Sequence, residues 1–357
     1  MGEGKTLAGW FAAHARDLPW RREPRDPYRV LVSELMLQQT QVDRVIPRFN
    51  EFVRRFPTIG DLAMADEDQV LERWSGLGYY RRARSLHHLA QRVAAMGGAI
   101  PDTVEALSEL PGIGPYTAAA IASLAFGQRA VTLDGNVRRV AARFLAFGRV
   151  PHGRDAEDAF TQWILGLMEE AAPGVINEAL MELGARVCRP VNPECSRCPL
   201  EPRCRARRLQ RPQDFPLPRA ARKPVRERWL AACAFSADGR MLTRRAETGP
   251  ILRGLWLPPW IMGDGPEGAD DAVRARSLLP YDVRDLGTAP EIRHSVTYRR
   301  IRIVPFVYVL DGAEPPSEGW RLVDPEEPGV ATSSLLAKLA GVCTPVWLQW
   351  KRKRETE

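Results

Sequence analysis

Apolar residues recur at three- and four-residue intervals from the first residues to about Arg208, the spacing of helices that each bury one face. No strand-like alternation interrupts that pattern. A Pro- and Arg-rich stretch, RPQDFPLPRAARKP, then breaks it and reads as an interdomain linker. Beyond the linker the texture changes. RWLAACAF, a turn at SADGR and MLTRR predict a β-hairpin, and RRIRIVPFVYVL predicts a buried strand. DDAVRARSLL and SSLLAKLAG read as short helices, and the terminal KRKRETE as a disordered tail. The expected organisation is an all-α domain over 1–209 with a cysteine loop at 188–204, a linker over 210–226, an α+β domain over 227–346 and a basic tail over 347–357. No internal repeat is visible.

A chain of 357 residues with 45% hydrophobic composition has room for two cores. Lys+Arg 51 against Asp+Glu 44 leaves a net +7, carried mostly by arginine and consistent with a polyanionic partner. No run approaches the length and apolarity of a membrane span or a signal core, so no membrane partner and a soluble, cytoplasmic protein are expected. Of the six cysteines, Cys188, Cys195, Cys198 and Cys204 crowd into one segment, whereas Cys233 and Cys343 sit alone in apolar surroundings as buried thiols.

The stretch from Asp102 to Asn136 organises the candidate chemistry. Asp102 and Glu105 are spaced as an N-cap and its N3 partner, which predicts a short helix ended by Pro111. Pro115 suits the first turn of the next helix. Between them Gly112 and Gly114 allow positive φ and leave amides uncovered, a cradle for a phosphate at a helix N-terminus; an ordinary helical hairpin with an N-capping Asp is the alternative. Gly127 stops the alanine-rich second helix, and a lone carboxylate, Asp134, precedes the following one.

Three further stretches carry functional side chains. In VLVSELMLQQTQ, a helical reading puts Glu34, Gln38 and Gln41 on one face, and a carboxyl among Val, Leu and Met tends to hold its proton; a solvent-facing polar stripe is the alternative. SGLGYYRRAR offers a loop at Gly76 and Gly78 with Tyr79 and Tyr80 at its tip, then Arg81, Arg82 and Arg84. Rings beside cations suit a loop that wedges into stacked bases; packing of the tyrosines on a core is the alternative. The cysteines are spaced C-x6-C-x2-C-x5-C, with one close pair and two flanking ligands. That spacing suits an iron–sulfur cube, with a structural zinc site as the alternative.

Together SELMLQQTQV, GLGYYRRAR, LPGIGPYT, LDGNVRR and the cysteine loop resemble the adenine DNA glycosylases, the MutY family of the endonuclease III, helix-hairpin-helix superfamily. The resemblance implies a helix-hairpin-helix domain of two helical lobes with a four-iron, four-sulfur cluster on Cys188, Cys195, Cys198 and Cys204, followed by an α+β, Nudix-like domain. Bifunctional members of the superfamily carry a lysine nucleophile where this chain has Tyr116, which implies a monofunctional enzyme. The partner implied is duplex DNA with adenine opposite 8-oxoguanine or guanine, bound by a monomer that is nucleoid-associated if bacterial. Glu34 is implied to protonate adenine N7, and Asp134, kept ionised at a helix N-terminus, to stabilise the sugar cation. Tyr116 and Asn136 would position these groups, and Arg21 would contact the adenine. Gln38, Gln39, Leu77, Tyr79, Arg81, Gly112 and Gly114 are expected at the DNA.

In the second domain GLWLPPW and RIRIVPFVYV fit the Nudix-like element and core strand. GDGPEGADDAVRARSLL lacks the Glu-rich run that holds magnesium in Nudix hydrolases, so nucleotide hydrolysis is not expected. The family reads 8-oxoguanine with Phe-Ser-His, and here Val296-Thr297-Tyr298 stands in that place, with Thr297 supplying the hydroxyl. Competing readings are a same-fold glycosylase for thymine opposite guanine and a non-catalytic DNA-damage binding protein.

Overall fold

The computed structural model describes residues 2–218, 223–247, 251–263, 270–311 and 319–356. The first part of the chain is helical: α1 (Glu3–His14), α2 (Pro27–Leu37), α3 (Val42–Arg55), α4 (Ile59–Met64), α5 (Glu67–Arg73), α6 (Arg81–Ala95), α7 (Val104–Ser108), α8 (Pro115–Phe126), α9 (Gly135–Leu145), α10 (Arg154–Leu167), α11 (Pro173–Arg186) and α12 (Arg205–Arg208). The chain divides into two compact units, Met1–Ala65 with Arg81–Ala220, and Asp66–Tyr80 with Ala221–Glu357. The pattern of the sequence assigned 66–80 to the helical domain; its contacts place α5 and the following loop in the second unit.

In the first unit, Leu7 and Phe11 of α1 pack with Val137, Val140 and Phe144 of α9 and with Leu180 and Leu183 of α11. Ala118, Ala120 and Ala122 make α8 narrow enough to be buried among neighbouring helices. Thr103, one residue later than the sequence pattern places it, caps α7 by accepting from the amide of Ala106. Pro115 does open α8, and Gly127 ends it in the left-handed region at φ 68°. Gly112 has φ 81°, and a Cβ there would lie 2.4 Å from Cβ of Ser85, so both conformation and close packing against α6 require glycine. Gly114 is different: its φ is −93°, and it serves as the N-cap of α8.

The second unit is built on a mixed sheet of β1 (Val225–Phe235), β2 (Met241–Arg245), β3 (Trp256–Leu257), β4 (Trp260–Met262), β5 (Val283–Thr288), β6 (Ile292–Val296), β7 (Arg299–Leu310) and β8 (Trp320–Val323). β1 and β2 form the expected antiparallel hairpin, and β1 runs parallel to β7 from Val225↔Arg299 to Phe235↔Val309. β1 reads as an unbroken apolar run because both of its faces are covered. Leu230, Ala232 and Ala234 meet Ala275 and Leu279, at and just past the end of α13 (Asp270–Arg276). On the other face Phe235 stacks on Trp347 of α14 (Ser334–Glu355) at 5.7 Å. This is the architecture expected of a Nudix-like domain.

α14 corrects the reading of the C-terminus. It continues from SSLLAKLAG past Pro345 through the basic tail to Glu355. Buried Cys343 and Trp347, spaced i and i+4, hold it on the sheet beyond the point where Pro345 argued for an end. Residues 264–269 of the segment searched for a magnesium-binding helix lie outside the described residues. Among the described residues no helix is long and apolar enough to cross a membrane.

Candidate active site

Glu34, Tyr116 and Asp134 reach one cavity of about 530 Å3 in the first unit, from α2, α8 and the N-terminus of α9. The volume falls in the range of small-ligand sites, about 300–1,000 Å3. Asp26 caps α2 through the amides of Tyr28 and Arg29, and Pro27 at the first position presets the helix. Glu34 sits on that helix among buried Leu31, Leu35 and Met36 and is itself 7% exposed. Burial, with the charges of Asp134 and Glu178 adding to it, pushes the Glu34 carboxyl up to about 7 against a lowering hydrogen bond from Tyr116. Burial likewise drives the Tyr116 hydroxyl well above its ordinary value, and the Glu34 and Asp134 charges add to the rise.

Asp134 is the N-cap of α9 and accepts from the amide of Val137 at 2.6 Å. The sequence reading has the helix N-terminus keep this carboxyl ionised. Burial nevertheless raises it above its ordinary value, with the bonds from Val137 and Asn136 opposing the rise. Asn136 donates through Nδ2 to Asp134 Oδ2 at 3.1 Å and accepts through Oδ1 from Arg139 at 2.9 Å. Arg139 also donates to the carbonyls of Gly184 and Cys188, both at 2.8 Å. A Cβ at Gly184 would come within 2.6 Å of Cβ of Asn136, so a glycine in α11 is what lets that helix approach the carboxylate.

Arg21 also lines the cavity, and each of its three nitrogens already donates within the protein. Nε donates to Glu178 at 2.9 Å, Nη2 to Glu182 at 3.1 Å and Nη1 to the carbonyl of Arg16. Arg16 and Arg25 pair with Glu182 and Glu178 at 2.7 Å each. Burial pushes Glu182 up, yet Arg16 and Arg21 outweigh it and hold the carboxyl below its ordinary value. The arginine expected to contact a base is thus part of a fixed ionic cluster in the cavity wall. Glu178, Glu182, Arg16 and Arg25 were not singled out in the sequence. Their visible signal was two glutamates at i and i+4 in an otherwise apolar helix, NEALMELGA, facing an arginine-rich N-terminal segment.

The glutamines depart from the helical reading. α2 ends at Leu37; Gln38 is its C-cap, and Gln39 has φ 57°. All of Gln38, Gln39 and Gln41 line the cavity from the turn that follows, and Gln38 donates to Thr117 at 3.2 Å. Arg82 is not a free cation on the DNA side. It is 9% exposed and donates to the carbonyls of Leu35 and Met36 at 2.8 and 2.9 Å, tying α6 to the C-terminal end of α2. Arg81 at the start of α6 is exposed. In the second unit, Gly76, Gly78 and Tyr79 all have positive φ, Tyr79 is exposed, and Leu77 is buried. Tyr80, expected at the loop tip, is buried and donates to the carbonyl of Thr332. Thr297 occupies the exposed turn between β6 and β7 at φ 54°.

Cys188, Cys195, Cys198 and Cys204 surround one small cavity, with Arg143 and Pro212 beside them. Burial, together with the neighbouring thiolate charges, raises Cys198 to about 12. Among the described residues no three such ligands are grouped for a single metal ion. A multi-iron cluster needs no such grouping, because each thiolate binds a different iron. Four cysteines lining one cavity are a donor set that such a cluster takes. Arg143 braces the loop by donating to Cys188 Sγ at 3.3 Å and to the carbonyls of Arg189 and Pro190 at 2.6 and 3.0 Å.

Residues 32–164 match the family of HhH-GPD superfamily base excision DNA repair proteins. The adenine DNA glycosylase of Mycobacterium tuberculosis is 43% identical over 277 residues, covering 76% of this chain and 86% of that protein. This chain belongs to the adenine DNA glycosylase family. The human adenine DNA glycosylase is 35% identical over 373 residues, 87% of this chain and 67% of the human protein. A solved structure of a thermostable thymine-DNA glycosylase superposes with TM-score 0.51 at 28% identity, covering 58% of this chain and 95% of that one. The part of the chain shared with the thymine enzyme is thus about the size of the helical unit, and adenine DNA glycosylases match well beyond it.

Proposed function

We propose that this protein is a monofunctional base-excision glycosylase that removes adenine mispaired with 8-oxoguanine or guanine from duplex DNA. The observation that carries the reading is the pair of carboxyls in one cavity, with Glu34 holding its proton to about 7. The target nucleotide flips out of the stack into the cavity. Glu34 gives its proton to adenine N7, the C1′–N9 bond breaks with its electrons going to the base, and neutral adenine leaves. Asp134 faces the resulting oxocarbenium-like sugar, in the manner of a retaining glycosidase. Water then adds at C1′, loses its proton to the Glu34 carboxylate, and an abasic site remains. Tyr116 offers no amine for a Schiff base, so the strand is left intact.

Asn136 holds Asp134, and the ionic cluster of Arg21 with Glu178 and Glu182 shapes the wall that faces the base. The exposed amides around Gly112 and Gly114 would take a backbone phosphate, and Arg81 another. Gln38 and Gln39, with Leu77 and Tyr79, would fill the stack around the lesion, and Thr297 would read the opposite base. A four-iron, four-sulfur cluster on Cys188, Cys195, Cys198 and Cys204 would, when bound, cross-link their loop into a rigid element. Exposed Arg205 would present positive charge there, whereas Arg189 and Arg197 pair with Glu194 and Arg203 pairs with Glu3.

A panel of mispaired and oxidised duplexes, assayed for base release and for strand breaks with and without alkali, tests this reading. Adenine released opposite 8-oxoguanine and guanine, with breaks appearing after alkali alone, is the expected result. Release of thymine opposite guanine, or tight binding of abasic duplex with no base release from any substrate, would overturn it.

A further inference from the structure

The loop that carries Leu77 and Tyr79 belongs to the same compact unit as Thr297. Its attachment there is specific on both sides. On the N-terminal side, Arg245 of β2 reaches the first turn of α5, where Nη2 lies 3.0 Å from Asp68 and 3.4 Å from Glu67. On the C-terminal side, the Tyr80 hydroxyl donates to the carbonyl of Thr332, beside the cap of α14. Between these points Trp74 is fully buried, and its indole donates to the carbonyl of Gly78 at 3.1 Å. Tyr79 is left as the exposed ring of the loop, held at φ 49° between the buried Leu77 and Tyr80.

We infer that Arg245 and Tyr80 are positioning residues that make the base-stack wedge a part of the unit that reads the opposite base. The inference rests on the function proposed above. Thr297 sits at the tip of β6–β7, and β7 pairs along its length with β1, which pairs with β2, the strand that bears Arg245. A change of hydrogen bonding at Thr297 therefore has a bonded route to the Tyr79 loop, through β7, β1, β2 and the Arg245 ion pairs. Discrimination between 8-oxoguanine and guanine then depends on that attachment, not on the recognition turn alone. Neither Arg245 nor Tyr80 lines the cavity of Glu34 and Asp134, so neither is a catalytic residue.

The experiment compares wild type with Arg245→Glu, with Arg245→Glu combined with Asp68→Arg, and with Tyr80→Phe. Single-turnover release of adenine opposite 8-oxoguanine and opposite guanine gives the discrimination ratio. Fluorescence of 2-aminopurine placed beside the mispair reports wedging without chemistry. Arg245→Glu should reduce the ratio by about threefold or more, the scale of a broken ion-pair coupling, and should reduce the fluorescence change. The charge-swapped pair should restore both, which a general loss of stability would not allow. Tyr80→Phe should lower the ratio in the same direction. Unchanged ratios and fluorescence in Arg245→Glu and Tyr80→Phe would overturn the inference, as would a loss that the swapped pair fails to restore. Wild type that releases no adenine from either duplex would instead defeat the proposed function, so the two failures are distinguishable.

Discussion

The Tyr116 hydroxyl faces the Glu34 carboxyl in one cavity and favours its charged form, against the burial that drives that carboxyl upward. Removing the hydroxyl takes away a stabiliser of the charged form. Tyr116→Phe should therefore raise Glu34 further and move the alkaline limb of single-turnover base release to higher pH than the wild-type limb near pH 7. A limb that stays in place or moves to lower pH would mean that Tyr116 does not act on the acid.

The same residue decides whether the strand is cut. Tyr116→Lys places an amine beside the sugar and should gain an abasic-site lyase activity that borohydride traps as a covalent complex. Wild type should show no comparable trapping.

Glu34 also links proton binding to folding. Its folded-state pKa of about 7 lies above the ordinary 4.5, so the folded protein holds a proton that the unfolded chain has released. The stabilisation is full below about 4.5 and is lost as pH rises through about 7. Glu34→Gln has no such dependence. Relative to wild type it should gain stability over this window, by at most about 3 kcal/mol, in denaturant titrations at stepped pH.

The ionic cluster is costly to open. Glu182 has no exposed side chain and neutralises Arg16 and Arg21. Glu182→Ala leaves Arg16 unmatched and Arg21 with Glu178 alone, and should cost about 3–5 kcal/mol, read as a lower denaturation midpoint. Glu157→Ala, which removes a half-exposed partner of Arg138, should cost less than about 1 kcal/mol.

Cys198→Ser tests the cysteine loop. It should lower bound iron per chain and weaken duplex binding more than it slows base release from the bound complex. Full iron content would remove Cys198 from the ligand set.

Much of this was legible in the residues, for physical reasons that can be named. Helical spacing and the switch to apolar runs past the linker reported burial directly, and Pro115, Gly127 and Asp134 sit where turn and cap chemistry requires. Glu34, Tyr116, Asp134 and Asn136 could be singled out because they stand in short, distinctive segments, and the fold brings all four to one cavity. Arg82 misled because an arginine looks the same in sequence whether it faces phosphate or is spent on buried carbonyls, and the same ambiguity hid the ion pairs that hold Arg21 in the cavity wall. Glu178 and Glu182 were hidden for the complementary reason: their partners lie more than a hundred and fifty residues away. The C-terminal helix ran past Pro345 because the packing of Trp347 on Phe235 outweighs a local propensity.

In the proposed reaction, one protonated and one ionised carboxyl in a single cavity break the glycosidic bond. Single-turnover release of adenine from a duplex carrying adenine opposite 8-oxoguanine tests it directly in Glu34→Gln and Asp134→Asn. Both variants should still bind the duplex and should release adenine about a hundredfold or more slowly, the scale of a lost general acid or its partner. Release near the wild-type rate in either variant would contradict the mechanism.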